Sequence, residues 1–392
     1  MYSCDIDAKS GVVKPRRSFM FTSKLAFVAL IITGLAACTA ALTNSLTTPT
    51  DTQTISPSPT ASRAVATQQL PTWTPTPTAI IPSVPDDKRM IASIDVGGAP
   101  WTMAVENGLL WVIVRNSIVQ INPQTDKVVG TPLPVTVPEN AGLEAILATQ
   151  DAVWVSVVGW GDIDRRNAID SILRIDPETG ETLARIQVPR GPVSLAYTPG
   201  FVWVVNFGLN HQTVSRIDVT TNQLAGESVK TGHAPIGMAV GDGSVWVVNH
   251  DDGTLTGIDP ATNQVIANIL VAEPHRVAFG EGAAWVGNWH DNSISRVDPQ
   301  TNQMVGELIP IGYHAGNIVA GYGNVWVTSD YRGVEAFPVP FPDHTVLVRI
   351  DPRTNKVVDT IPLGGHPVDA EVTEDAVWGS IQHPDLILKI QP

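Results

Sequence analysis

The stretch that decides the fold runs from Gly241 to Ile269 and reads "GDGSVWVVNHDDGTLTGIDPATNQVIANI". It opens on an Asp-Gly turn signal, which is typical of a β-hairpin. Short apolar runs follow, and an Asp-Pro turn separates the last two of them. With the run just before it, the stretch predicts four strands, a to d, at Gly237–Val240, Val245–Val248, Thr254–Ile258 and Gln264–Ile269.

The same pattern recurs seven times between residues 90 and 392. Each repeat has a tryptophan in strand b, and successive tryptophans are 39 to 52 residues apart. Ile-Asp-Pro or a variant follows in every repeat, and "TNQ" or a relative follows in six. Seven such units predict an all-β chain, a seven-bladed β-propeller of four-stranded antiparallel blades with its tryptophans packed between blades. The tryptophans are Trp111, Trp154, Trp203, Trp246, Trp285, Trp326 and Trp378.

The two ends of the repeat region complement one another. The seventh repeat stops at Ile390-Gln391-Pro392 and so lacks a strand d, whereas "RMIASIDVGG" at Arg89–Gly98 resembles a strand d that precedes the first repeat. We expect this N-terminal strand to join the last blade, because that closes the ring and removes an exposed sheet edge. The predicted propeller domain is 89–392.

Residues 1–37 resemble a bacterial lipoprotein signal peptide. Cations precede an apolar run at Leu25–Ala37 that is too short to span a bilayer. Leu35-Ala36-Ala37-Cys38 resembles a lipobox, which predicts lipidation of Cys38 and anchoring to the cell membrane on its outer side, in a bacterial cell envelope. An ordinary signal peptide with an incidental Cys38 is the alternative, and Met20 is an alternative start.

Residues 38–88 carry the lipidated Cys38 and a Thr/Pro/Ser-rich segment, whose composition predicts a disordered tether. The whole chain has a formal net charge of −14 and no basic stripe. A nucleic-acid partner is therefore excluded. Cys38 is the only cysteine after the signal peptide, so stability has to come from the core and not from disulfides.

The two faces of the predicted propeller differ in their loops and in their histidine content. The a–b and c–d turns are short and uniform, whereas the b–c and d–a loops are irregular and hold all nine histidines. We call the face with these loops the loop face and expect it to bind ligands, because loops on a rigid scaffold usually do. The alternative is that tight turns simply exclude histidine. The histidines are His211, His250, His290, His344 and His383 in b–c loops, and His233, His275, His314 and His366 in d–a loops.

The residue that opens each strand a should lie near the central channel, and in six of seven blades it is polar. Arg276 is expected to face Glu144 or Asp369 across the channel mouth. A solvated channel lining is the simpler alternative. The full set of candidate ligand-binding residues is His233, Asn249, His250, Arg276, Asn288, His290, His314, Asn317, Glu144 and Asp369.

"GSVWVVN" followed by "IDPATNQVIANI" resembles the YVTN/YncE-like propeller repeat proteins and, more distantly, the virginiamycin B (streptogramin) lyase superfamily, over about residues 90–392. The lyase resemblance implies a metal-dependent enzyme with two histidines in Pro-His-Gly-Ile contexts and a glutamate that ends a strand b. Pro274-His275-Arg276-Val277 matches the first context once. Asn249 and Asn288 stand where such a lyase offers glutamate, and asparagine cannot act as a general acid or base.

His250 and His290 lie on neighbouring b–c loops with His275 nearby, which makes these three candidate ligands of a divalent metal such as Zn²⁺ or Mg²⁺, although no cofactor is required. The sequence favours a lipid-anchored binding or scaffold module for a small molecule, glycan or protein. The alternative is a metal-dependent lyase or hydrolase that uses the same face, with His275 as its catalytic residue.

Overall fold

The computed structural model describes residues 87–159, 170–208, 212–330 and 345–392. The predictions for the signal peptide, Cys38 and the tether fall outside these residues, as do His211 and His344. Within the described ranges all regular elements are strands. These ranges contain no helix able to cross a bilayer.

The strands form seven antiparallel sheets, as the repeat predicts. The first three blades contain β2 (Pro100–Glu106), β3 (Leu109–Val114), β4 (Ser117–Asn122) and β5 (Lys127–Pro134); β6 (Ala141–Thr149), β7 (Ala152–Gly159), β8 (Ser171–Ile175) and β9 (Thr182–Gln187); and β10 (Pro192–Thr198), β11 (Phe201–Asn206), β12 (Thr213–Asp218), β13 (Gln223–Leu224) and β14 (Val229–Lys230).

Blades four to six contain β15 (Pro235–Gly241), β16 (Ser244–Asn249), β17 (Thr254–Asp259) and β18 (Gln264–Leu270); β19 (Pro274–Gly280), β20 (Ala283–Asn288), β21 (Ser293–Asp298), β22 (Gln303–Met304) and β23 (Ile309–Pro310); and β24 (His314–Gly321), β25 (Asn324–Asp330), β26 (Val346–Asp351) and β27 (Lys356–Pro362). The seventh blade contains β28 (His366–Val372), β29 (Val377–Gln382), β30 (Leu386–Ile390) and β1 (Met90–Asp95).

The N-terminal strand closes the ring. β1 pairs antiparallel with β30, so that Met90 lies opposite Ile390 and Asp95 lies opposite Leu386. The innermost strands pack against one another in a closed circle, from β2 through β6, β10, β15, β19 and β24 to β28 and back to β2. The predicted closure is therefore confirmed, and the first strand of every blade lines the central channel.

Blades three and five depart from the predicted single strand d. In each, the outer strand is split into two short pieces that pair with the same strand c. The interruption contains Gly226 in blade three and Gly306 in blade five, both of which have a positive φ of 75°. Only glycine adopts this conformation readily, so the strand bends there and resumes a few residues later.

The tryptophans of strand b pack between blades and are between 0% and 3% exposed. A cation of the neighbouring strand c covers the ring in five blades: Arg174 over Trp154, Arg216 over Trp203, Arg296 over Trp285, Arg349 over Trp326 and Lys389 over Trp378. Several of these cations also donate to a carbonyl of the next blade, as Arg216 does to Pro260 at 2.9 Å. Cation–π contact and hydrogen bonding thus join neighbouring blades.

The c–d turns are held by their first residue, as the Asp-Pro signal predicts. The Asp259 carboxylate accepts the backbone N–H of Ala261 at 2.9 Å and the Thr262 hydroxyl at 2.8 Å. These hydrogen bonds lower the pKa of Asp259, and the equivalent aspartates Asp176, Asp218, Asp298 and Asp351 behave alike. Each of these turns is therefore held by hydrogen bonds to its own aspartate.

Candidate functional site

A β-bulge interrupts the innermost strand of every blade close to the loop face. In blade five the ladder passes from the pair Pro274–Asn288 directly to the pair Arg276–Gly287, which leaves His275 as the extra, unpaired residue. Bulges redirect side chains and are frequent next to functional sites. Here the bulge places His275 at the mouth of the channel. It lies in β19 and not in the d–a loop as predicted, because the strand begins at Pro274, two residues before the predicted start at Arg276. His314 and His366 are likewise the first residues of strands β24 and β28.

Five rings from blades four, five and six meet on the loop face, and we call them the five-ring cluster: His250, His275, Trp289, His314 and His290. Each ring contacts the next, and the last returns to the first. The centroid distances in that order are 6.0, 4.8, 5.0, 6.4 and 6.1 Å. The sequence predicts that His250, His275 and His290 lie near one another; the structure adds Trp289 and His314.

Two histidines of the five-ring cluster are held by backbone carbonyls of blade five. His250 Nδ1 lies 2.9 Å from the Pro274 carbonyl oxygen, and His314 Nδ1 lies 2.6 Å from that of Trp289. Because a carbonyl only accepts, each Nδ1 has to carry the proton in these bonds. In the neutral form of either imidazole, Nε2 therefore carries the lone pair with which histidine accepts a hydrogen bond.

His275 is partly buried within the cluster. Its Nδ1 is buried and has no hydrogen-bond partner among the described residues. Burial, followed by the positive charge of Arg276 and then the neighbouring His250 and His290, lowers the pKa of His275 to about 3. His275 is therefore neutral at ordinary pH and a weak base.

Asn249 and Asn288 do not lie at the surface of the site. Both are 0% exposed. The Asn249 amide donates to the hydroxyls of Thr254 and Thr256 at 2.9 and 2.8 Å and accepts the Gly232 N–H at 3.0 Å. Asn288 makes the same pair of bonds to the serines of its own strand c. These asparagines join strands b and c, so they are not placed to contact a ligand.

His233 lies apart from the five-ring cluster, at the end of the d–a connection before blade four. Its Nδ1 is 2.7 Å from Asp252 Oδ1, and its backbone N–H donates to Asp252 Oδ2 at 2.8 Å. These bonds lower the pKa of Asp252. The His233 side chain is 62% exposed, and the pair joins the d–a and b–c loops of the same blade.

The channel mouth holds Arg276 among carboxylates. Burial lowers the pKa of Arg276, while the negative charges of Asp369 and Glu144 raise it. The structure therefore brings together the three residues that the sequence predicts will face one another. Burial also raises the pKa of Glu144. Asn317 is occupied by neighbouring backbone, since its Oδ1 accepts the Ile318 N–H at 2.8 Å.

Asp369 is 5% exposed and accepts the backbone N–H groups of Met103 and Ala370 at 2.7 and 2.9 Å. Burial nevertheless raises its pKa to about 7. Glu371 lies two residues further along β28, and burial followed by the charge of Asp369 raises its pKa well above the ordinary value. The period-two alternation of a strand puts both on one side, a signal that sequence reasoning could have used for Glu371.

The residues do not fit the metal site that the lyase resemblance implies. Where the resemblance requires a glutamate, this chain has Asn249 and Asn288, which are buried and whose Nδ2 groups already donate to hydroxyls. Only one of the two Pro-His contexts is present. In the part of the chain that the structure describes, no three His, Cys, Asp or Glu side chains are close enough to hold a metal ion as they stand. No reaction step through such a metal is derived.

Solved structures resemble this chain in fold. Virginiamycin B lyase from Staphylococcus aureus superposes with a TM-score of 0.60 at 17% identity, covering 75% of this chain and 95% of that one. A chain of the mitotic checkpoint complex gives 0.64 at 11% identity, covering 78% and 96%. Hydrazine synthase of Kuenenia stuttgartiensis gives 0.59 at 13% identity, covering 76% and 97%.

At these identities the likeness concerns the propeller fold alone, and propellers carry many functions. No family model matches the chain, and no curated protein matches it.

Proposed function

We propose that this chain is a lipid-anchored, extracytoplasmic binding module of a bacterial cell envelope that takes a small molecule, glycan or protein ligand on its loop face. The observation that carries the proposal is the five-ring cluster. Trp289 remains partly exposed there although it contacts two histidines, and His290 beside it is exposed. A partly exposed tryptophan with oriented polar atoms around it is typical of a binding surface.

Anchoring rests on the lipobox-like sequence at Cys38 and the Thr/Pro/Ser-rich segment after it. The two features together favour display of the propeller outside the membrane. The acidic balance of the chain argues against nucleic acid as the ligand.

A second candidate is a metal-dependent lyase or hydrolase, favoured by the Pro274-His275 context and the fold likeness to virginiamycin B lyase. Two observations weigh against it. His275, with a pKa of about 3, is a weak base near neutral pH, and Asn288 is buried where the resemblance requires a carboxylate. Binding without turnover is therefore the better proposal.

The test compares the full chain with Trp289→Ala after incubation with solubilised envelope components. Retained small molecules, glycans and proteins are identified by mass spectrometry. Phe207→Ala is the matched control, because Phe207 also follows the buried asparagine of a strand b, is 45% exposed and lies outside the cluster. We expect Trp289→Ala to lose the retained species and Phe207→Ala to keep them. Equal retention by all three proteins refutes the proposal.

A further inference from the structure

The outer strand of blade four has a free edge. β18 is the last strand of its sheet, after β15, β16 and β17, and nothing in the described part of the chain pairs with its outer side. Its sequence, Gln264–Leu270, reads "QVIANIL" and contains no charged residue, glycine or proline. An uncharged, apolar and uninterrupted edge strand is a template for pairing with another strand.

The other outer strands carry features that natural sheets use against such pairing. Those of blades three and five, on either side of blade four, are split into pieces of two residues. The four that are uninterrupted each contain a charged residue: Asp95 in β1, Lys127 in β5, Arg185 in β9 and Lys356 in β27. Among the described outer strands, β18 is therefore the one that is both continuous and uncharged.

The exposed side of β18 is largely apolar. From Ile266 onward the burial alternates, so that Ala267 and Ile269 are turned inward while Ile266, Asn268 and Leu270 are exposed. Ile266 is 52% exposed, and Leu270 is 78% exposed, the highest value for a large apolar side chain in the described ranges. Removing these two side chains from water would favour association.

The ladder to β17 decides which backbone groups of β18 point outward. Just beyond the end of the strand, the Val271 N–H donates to the Gly253 carbonyl at 3.0 Å. Hydrogen-bonded and non-hydrogen-bonded pairs alternate along an antiparallel ladder. Ile269 is then bonded to β17, whereas the N–H and C=O groups of Asn268 and Leu270 point to the outer side. These groups are available to an added strand.

We propose that β18 pairs antiparallel with β18 of a second copy of this chain, about a two-fold axis at Asn268. In this register Asn268 lies opposite Asn268 of the copy, and Ile266 lies opposite Leu270 of the copy on both sides of the axis. The two most exposed apolar side chains of the strand thus meet as cross-strand pairs, which stabilise sheets. The outward backbone groups of Asn268 bond to their own equivalents.

The occupant is a second copy because the strand complements itself, as an isologous contact requires. A shift by two residues, the next register that keeps outward groups opposite one another, sets Leu270 against Asn268 instead. Each chain has a formal net charge of −14, so two copies repel each other overall. The absence of charge on β18 means that no like charges face each other across the strand pair. One strand pair is a small contact, so the dimer is weak and depends on concentration.

The register is tested with single cysteines in a full chain that carries Cys4→Ser and Cys38→Ser and so has no native thiol. Asn268→Cys should form a disulfide-linked dimer under mild oxidation. Opposite Cα atoms in a hydrogen-bonded antiparallel pair are about 5.5 Å apart, which is within the range of a disulfide. The matched control is Thr360→Cys, because Thr360 is exposed and holds the equivalent position in β27, opposite Val348.

Two further cysteines distinguish this register from non-specific contact. Ile266→Cys and Leu270→Cys should each fail to cross-link with itself, since each lies four residues from its own equivalent in the pair. A mixture of the two variants should cross-link, because these positions lie opposite each other.

Sedimentation velocity at increasing concentration measures the association without a cross-link. Ile266→Lys should weaken it about tenfold or more, because it places a charge on the uncharged edge. Val358→Lys is the matched control. Val358 is the extra residue of the same β-bulge in β27 and is 49% exposed, so both variants keep the core intact. Thermal unfolding checks that both are folded.

A chain that stays monomeric at every concentration overturns the inference. So does cross-linking of Asn268→Cys no faster than that of Thr360→Cys, or equal self-cross-linking by Ile266→Cys. Protection of the Asn268 amide from hydrogen exchange in a monomeric chain would assign the edge to another segment of the same chain and would also refute the dimer. The proposed ligand binding on the loop face is tested separately, because none of these variants lies on that face.

Discussion

Lys389 of the last strand forms an ion pair with Asp126 of the first blade, with 2.9 Å between Nζ and Oδ1. Its Nζ also donates to the Pro123 carbonyl at 2.6 Å and pairs with Asp375 at 2.8 Å. The Lys389 side chain is only 6% exposed and covers the Trp378 ring. One cation thus joins the first and last blades at the point where the ring closes.

Lys389→Met should therefore destabilise the whole propeller. The substitution removes the ammonium group that three polar partners share, and it leaves the Asp126 and Asp375 carboxylates near one another. We therefore expect a loss of about 2 kcal/mol in the free energy of unfolding. Urea unfolding followed by tryptophan fluorescence measures it. Arg353→Ala is the control, because Arg353 is 86% exposed and, among the described residues, pairs with Asp351 of its own turn. A loss for Lys389→Met no larger than for the control would contradict the prediction.

Asn249→Ala should show that the asparagine at the end of strand b is structural. The change leaves the Gly232 N–H without its acceptor and removes the amide that donates to the Thr254 and Thr256 hydroxyls, so we expect a loss of about 2 kcal/mol in the free energy of unfolding. Thermal unfolding is the measurement, and Gln300→Ala in an exposed turn serves as the control. A stability equal to that of the control would show that Asn249 is free for another role.

The pH dependence of stability should report Asp369. Its pKa is raised to about 7 in the folded chain from an ordinary value of 3.8, so the folded state binds the extra proton between these values. Stability from this group is present below about pH 4 and is lost as the pH rises to about 7. We expect the free energy of unfolding of the wild type, relative to that of Asp369→Asn, to fall across that range. Chemical unfolding at a series of pH values measures it. A constant difference between pH 4 and pH 8 would refute it.

Cys38→Ser should release the protein from membranes. The thiol is the proposed site of lipidation, and serine cannot form the thioether. Fractionation of cells that express each form, with immunoblotting of the membrane and soluble fractions, is the measurement. Cys4→Ser is the control, since Cys4 lies inside the proposed signal peptide. Retention of Cys38→Ser in the membrane fraction would exclude the lipid anchor.

The blade architecture could be predicted because each blade repeats its own local signals. Trp246 marks strand b and Asp259 marks the end of strand c within one repeat. Both signals depend mainly on residues that are close in sequence. Ring closure was predictable for a similar reason, since Met90–Asp95 has the pattern of a strand d without a preceding strand c.

The site could be predicted only in part. The nearness of His250, His275 and His290 follows from neighbouring blades, but the part played by Trp289 depends on its stacking with His314, which no repeat pattern specifies. The signal was present: Trp289 holds the position after a buried asparagine, where Phe207 stands in blade three and His250 in blade four. The burial of Asn249 and Asn288 depends on hydroxyls of the adjacent strand c, so polarity alone suggested exposure.

The pairing of β1 with β30 also limits when the ring can close. The first strand of the propeller to leave the ribosome can acquire its neighbour only when the last one has been made, which gives this sheet the highest contact order in the molecule. Until then β1 and β29 each have an unpaired edge of the kind that recruits other chains. Exposure of these two edges during synthesis is therefore the aggregation risk that comes with this way of closing the ring.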